Sequence, residues 1–162
     1  MAISNSWGTS DTNDTTWMEY EEEAAARGIT VMASSGDNGN LKSGAPSFPA
    51  SMSYDNFGTL AVGGTNTHLN GTDSSTGTGT TGIKSQSVWY GSPSAGDGSE
   101  GGVSAIFKEP SWQLNSNDSR SVISKYSSVN NVTSGRGTPD VAAVGANMSI
   151  YVTSGSNSGY IL

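Results

Sequence analysis

Short apolar runs alternate along this chain with longer stretches of small polar residues. Ala2-Ile3-Ser4-Asn5-Ser6-Trp7-Gly8 reads as a strand stopping at a glycine. Ser10 to Thr15 then offers several N-cap side chains, and Trp17, Tyr20, Ala24 and Ala25 recur at helical spacing. Acidic residues early in this helix, Arg27 in its last turn and Gly28 just past it suit the helix dipole and the preferred C-terminal stop. Ile29 to Ser34 is a buried-strand run, and Ser35-Gly36-Asp37-Asn38-Gly39 must turn. Strand, helix, strand is the order of a parallel crossover, so the predicted class is α/β, a parallel sheet flanked by helices.

Phe48-Pro49-Ala50 falls in a loop, and Thr59 to Gly64 is a further short strand that stops on its glycines. From about residue 66 to 102 the composition turns to Gly, Ser and Thr, apart from Ser87-Val88-Trp89-Tyr90, which predicts hairpins and loops outside the main sheet. Within it, Thr72 to Gly82 is a low-complexity tract expected to be mobile. Apolar content returns at Val103 to Phe107, at Val141 to Val144 and at a final strand, Ser149 to Thr153. The chain therefore reads as one domain, with core elements over 1–65, a polar excursion over 66–102 and a return to the core over 103–162.

Composition narrows the function. The 162 residues hold 29 Ser, 16 Thr and 22 Gly, yet 33% are apolar and four Trp are spread along the chain, so wholesale disorder is not expected. No run approaches the ~18 apolar residues of a membrane-spanning helix. A net charge of −7 would repel a phosphate backbone, which removes nucleic acid as a partner. With no cysteine there are no disulfides, thiolate nucleophiles or zinc-thiolate sites. Five Asn-x-Ser/Thr triplets, at Asn13, Asn70, Asn117, Asn131 and Asn147, together with abundant hydroxyl side chains, point to an extracellular (secreted) or lysosomal protein, although no signal peptide opens the chain.

In an open α/β sheet ligands bind beyond the carboxyl ends of the strands. Three such places combine glycine with a polar or aromatic neighbour, as holding an extended peptide requires: Ser6-Trp7-Gly8, Ser35 to Gly39, and Gly63-Gly64-Thr65. The single histidine, His68, lies far from any nucleophile motif and reads as a solvated loop residue. Glu21-Glu22-Glu23 point different ways on one turn and read as a solvated face rather than a metal site. Phosphate-loop and dinucleotide glycine spacings are missing.

Taken in order, Ala2 to Gly8, Ala33-Ser34-Ser35-Gly36-Asp37-Asn38-Gly39, Phe48-Pro49-Ala50, Ala61 to Thr65, Gly101-Gly102-Val103-Ser104 with Pro110-Ser111-Trp112-Gln113, and Arg136 to Val141 resemble the signatures of the sedolisins, serine-carboxyl peptidases of subtilisin-like fold. The resemblance implies that the backbone of Ser6, Trp7 and Gly8 pairs with an extended peptide or protein substrate. It implies that Ser34, Ser35 and Gly36 wall the pocket for the residue before the scissile bond, and that Asp37 faces the carbonyl oxygen as an oxyanion-hole donor. Ordinary subtilisins place Asn at that position. An ionised carboxylate only accepts hydrogen bonds, so Asp37 donates only when protonated, which calls for acid. A cis peptide at Phe48-Pro49 is also implied, and Trp112 reads as packing rather than contact.

The family's nucleophilic Ser and its Glu/Asp helix are not found in this chain. The resemblance places the helix before Ala2 and the Ser after Leu162, making this a central fragment, incomplete at both ends, inactive by itself and marginally stable. Glu19 and Glu23 have a suggestive spacing but follow the Trp7 strand instead of preceding it. Calcium is expected for the complete domain, with ligands beyond Leu162, and no metal ligand or cofactor is assigned here; the complete enzyme is expected to be a monomer. Two other readings stand beside this one. One is a subtilisin-type serine protease relative carrying an Asp substitution. The other is a non-enzymatic glycan-binding or adhesion module using Trp89, Tyr90 and Trp112 as sugar platforms, which would be all-β where the peptidase demands helix as well.

Overall fold

The computed structural model describes residues 1–40, 45–70, 82–91, 97–114, 134–146, 150–154 and 157–161. In chain order its elements are strand β1 (Ala2–Asn5), helix α1 (Thr15–Ala26), and strands β2 (Thr30–Ser34), β3 (Asn38–Asn40), β4 (Leu60–Leu69), β5 (Ile83–Val88), β6 (Gly98–Val103), β7 (Gly137–Thr138), β8 (Val141–Ala146), β9 (Ile150–Ser154) and β10 (Asn157–Ile161). Among the described residues between β6 and β7 lies one 3-10 turn, Ser111–Gln113. The low-complexity tract falls outside the described residues except for Gly82.

The main sheet is the parallel α/β arrangement expected. β1 pairs β2, β2 pairs β4, and β4 pairs β8, all parallel. Asp14 takes the N-cap of α1, its carboxylate accepting from Trp17 N at 3.0 Å. Arg27 is the C-cap residue and Gly28 follows with φ of 68°, so the stop falls where the sequence placed it; the first turn itself holds no acidic residue, because Asp14 precedes it.

Two expectations are corrected. β4 does not stop at Gly63-Gly64 but continues to Leu69, and the polar strand β5 pairs antiparallel with that extension, from Thr65 opposite Val88 to Leu69 opposite Ile83. Part of the polar excursion therefore belongs to the main sheet. The physical reason is pairing: Trp89 N donates to Gly64 O at 2.8 Å and Gly64 N donates to the Ser99 hydroxyl oxygen at 2.9 Å, so both backbone groups of Gly64 are partnered and the strand runs on past residues that add no apolar side chain. Val62 pairs both Ser34 and Val141, and Thr65 pairs both Val88 and Val144. β2 and β5 consequently occupy the same edge of β4 in succession, with β8 on the other. The second correction is that Asn38 and Gly39 are not turn residues alone: they belong to β3, which pairs parallel with β6, itself antiparallel to β7, in a small separate sheet.

The core is modest. Ala33, Ala50 and Ala61 form one buried cluster, and Phe48, Met52 and Phe107 another, with Trp17, Met18 and Tyr54 packed against it. Glu21 of α1 points inward, only 3% exposed, rather than forming part of a solvated face. Its Oε1 accepts from Thr59 Oγ1 at 2.6 Å and Trp17 Nε1 at 3.1 Å. Desolvation pushes its pKa above the ordinary glutamate value, outweighing those two hydrogen bonds.

The two sheets meet at an ion pair. Arg136 is fully buried and grips Asp140 with two bonds, Nη1 to Oδ1 at 2.6 Å and Nη2 to Oδ2 at 2.5 Å. Asp140 Oδ2 also accepts from Ala61 N at 2.8 Å, and Arg136 O accepts from Ser104 N at 2.8 Å. The pair thus fastens the start of β4 to the end of β6, while the Trp112 ring lies 5.0 Å from the guanidinium.

Two outcomes follow from these buried charges. Asp140→Ala strands the guanidinium without its counterion and is expected to cost about 3–5 kcal/mol, read by urea denaturation. Because the folded-state pKa of Glu21 is raised, its contribution to stability is fully present below the unfolded glutamate pKa and is lost as pH rises through the folded value. Glu21→Gln should therefore flatten the fall in denaturation midpoint between acid and neutral pH, measured as midpoint against pH for both chains.

Candidate functional site

Because β1 and β2 are parallel and in register, from Ala2 opposite Thr30 to Asn5 opposite Ala33, their carboxyl ends emerge side by side. The segment Ser6-Trp7-Gly8 leaves one and Ser34-Ser35-Gly36-Asp37 completes the other, so two of the three predicted places share one end of the sheet. Gly63-Gly64-Thr65, the third, lies inside β4 and is not a strand end. His68 is exposed, as expected, but it sits on strand β4 rather than in a loop.

The turn that carries Asp37 is held by backbone on one side. Ser35 N donates to Val62 O at 2.9 Å, and Gly36 O and Asp37 O accept from Glu100 N and Gly98 N, each at 2.8 Å. Gly36 adopts φ of 109°, open in practice only to glycine, and a Cβ there would meet Glu100 Oε2 at 2.4 Å. Ser35 is buried, whereas Asp37 is exposed on the outer side of the bend.

Trp7 is 46% exposed and meets the Trp17 ring edge-on at 5.3 Å between centroids and Phe48 at 6.4 Å. Its ring serves packing on one face, with the rest open. Phe48, before a cis Pro49 as the resemblance implied, exchanges two backbone bonds with Thr9, each 2.9 Å. The Phe48-Pro49 loop thereby lies against the strand end that carries Trp7.

A residue that sequence reasoning did not reach ties these segments together. Glu100 of β6 is 1% exposed. Its Oε2 accepts from Asn38 Nδ2 at 2.7 Å and from Asn38 N at 3.4 Å, and its Oε1 accepts from Ser47 N at 2.9 Å and Ser47 Oγ at 2.8 Å. One carboxylate thus bridges the residue after Asp37 and the residue before Phe48. The available signal was a lone acid between Ser99 and two glycines in a stretch otherwise poor in charge.

Glu19 is exposed and Glu23 pairs at 2.5 Å with Arg27 on the helix surface, away from the strand ends. Among the described residues no group of three or more His, Asp or Glu is placed to hold a metal ion. Elsewhere, an open groove of about 360 Å³ lies beside Tyr54, Phe57, Trp112 and Asp140, away from the Asp37 turn. Trp112 lies over Arg136, which fits its reading as packing.

Comparison with known proteins matches the chain to the Subtilase family over residues 1–161. It is 37% identical over 125 residues to kumamolisin of Bacillus sp. (strain MN-32), an alignment covering 74% of this chain. The same alignment covers 19% of kumamolisin, so the chain spans about a fifth of that relative's length.

Two of the left-handed glycines, Gly28 and Gly36, make a paired prediction. Gly28→Ala, with nothing within 4 Å of the new methyl, should cost about 1 kcal/mol from backbone strain alone. Gly36→Ala must also displace Glu100 and should cost at least about 2 kcal/mol, both read from urea midpoints.

Proposed function

The chain belongs to the subtilase family of peptidases, and on that premise we propose that it is the substrate-cleft portion of an acid-acting serine-carboxyl peptidase of the sedolisin type, with Asp37 as the oxyanion donor. The observation that carries the reading is the pairing of β1 with β2, which brings Ser6-Trp7-Gly8 and Ser34 to Asp37 to one end of the sheet. An extended peptide laid along the Ser6-Trp7-Gly8 backbone would put its preceding side chain against Ser34, Ser35 and Gly36. Its scissile carbonyl would then face the Asp37 bend.

When the carbonyl carbon is attacked, negative charge collects on its oxygen. A protonated Asp37 carboxyl donates to that oxygen and shares its proton more fully as charge develops, so the contact strengthens in the transition state rather than in the bound substrate. Ionised, the same carboxylate would repel the oxyanion. The reaction is therefore assigned to acid, which also suits a folded state favoured by a protonated Glu21.

In this proposal the nucleophilic Ser and its Glu/Asp pair come from outside residues 1–162, as do the calcium ligands, and the chain alone does not hydrolyse peptides. Secretion or lysosomal delivery is the matching location, with Asn13 and Asn70 exposed and open to glycosylation. An Asn in place of Asp37 would mark an ordinary subtilisin; the carboxyl is what favours the sedolisin reading over the subtilisin one.

The test is made in the complete peptidase. Asp37→Ala should lower kcat about 10²–10³-fold with little change in KM. Asp37→Asn, whose amide donates at any pH, should retain more activity than alanine and lose the fall in kcat above the acid range. Unchanged turnover in acid after Asp37→Ala would sink the assignment.

A further inference from the structure

The oxyanion-turn reading leaves open what holds a solvent-exposed bend steady enough to aim a proton. Backbone bonds from Gly98 and Glu100 fix Gly36 and Asp37 from behind. The residue after Asp37 is fixed by a side chain. We propose that Glu100 is a positioning residue for Asp37, a buried buckle that sets the distance between the oxyanion turn and the Phe48-Pro49 loop; the proposal rests on the peptidase reading of Asp37.

Four features carry it. Glu100 is inaccessible to substrate, so it acts through others. Both of its oxygens are occupied, Oε2 by Asn38 and Oε1 by Ser47, residues nine positions apart in sequence. Gly36 lies so close that any side chain there would collide with the carboxylate, which places the buckle directly beneath the bend. Ser47 precedes Phe48, which in turn is bonded to Thr9 beside the Trp7 segment. A shift of the Glu100 carboxylate is therefore transmitted to both walls of the cleft at once. A glutamine in its place offers one acceptor oxygen and one donor amide, so either Asn38 or Ser47 loses its bond to a side-chain oxygen.

The experiment is a double-mutant cycle in the complete peptidase, measured with a peptide substrate in acid. Glu100→Gln is expected to lower kcat about tenfold while KM moves less than about threefold, because misplacing a donor weakens transition-state contact more than binding. In an Asp37→Ala background the same change should lower kcat less than about twofold, since the group it positions is gone. Asn38→Ala opens the buckle from its exposed end, removing the side-chain donor to Glu100 Oε2 while leaving Glu100 and its bonds to Ser47 in place, and should lower kcat in the same direction, about three- to tenfold, which covers the case in which Glu100→Gln does not fold. An equal loss from Glu100→Gln in both backgrounds, or no loss from either Glu100→Gln or Asn38→Ala while Asp37→Ala remains severe, overturns the positioning role and leaves the peptidase reading intact. An unimpaired Asp37→Ala enzyme overturns the peptidase reading itself and this inference with it.

Discussion

The arrangement at the strand ends depends on one constraint: adjacent parallel strands must both deliver their chains at the same edge of the sheet. β1 and β2 are in register over four residue pairs, so Ser6 and Ser34 emerge together. Parallel strands need a crossover, and α1 supplies it, with its cap at Asp14 and its stop at Gly28. Without the crossover the two segments would lie at opposite ends of the sheet.

Around that pairing, buried polar groups do the work that a larger apolar core would otherwise do. Among the described residues the buried apolar side chains are few and several are alanines. The Arg136–Asp140 pair reaches Ser104 and Ala61, and Glu100 reaches Asn38 and Ser47, so each joins segments far apart in sequence. Such groups are demanding, since each must find all its partners or weaken the fold. They also make contacts directional, which apolar packing does not.

The first third of the chain was legible because periodicity, caps and glycines agree there. Trp17, Ala24 and Gly28 mark a helix, and Ile29 to Ser34 mark a strand whose exit bears the Asp37 bend. β4 reads short because Gly63 and Gly64 look like a stop, yet the bonds of Gly64 to the Ser99 hydroxyl and to Trp89 N continue the strand. β5 reads as lying outside the sheet because its stretch is rich in Gly, Ser and Thr and poor in apolar residues; all six of its residues are exposed, and it is held by ladder bonds and by Gln86 Nε2 donating to Thr65 Oγ1 and Thr67 Oγ1, not by burial. Glu21 and Glu100 escaped for a shared reason: a buried carboxylate is declared by its partners, and Thr59, Asn38 and Ser47 are brought to it only by the fold.

The succession of β2 and β5 along one edge of β4 has an evolutionary consequence. The Ser34 and Ser35 exit begins where one neighbour leaves that edge, and the ribbon that replaces it is anchored from Thr65 onward. Variants that differ in length beyond Leu69 would therefore leave the pairing that sets this exit unchanged.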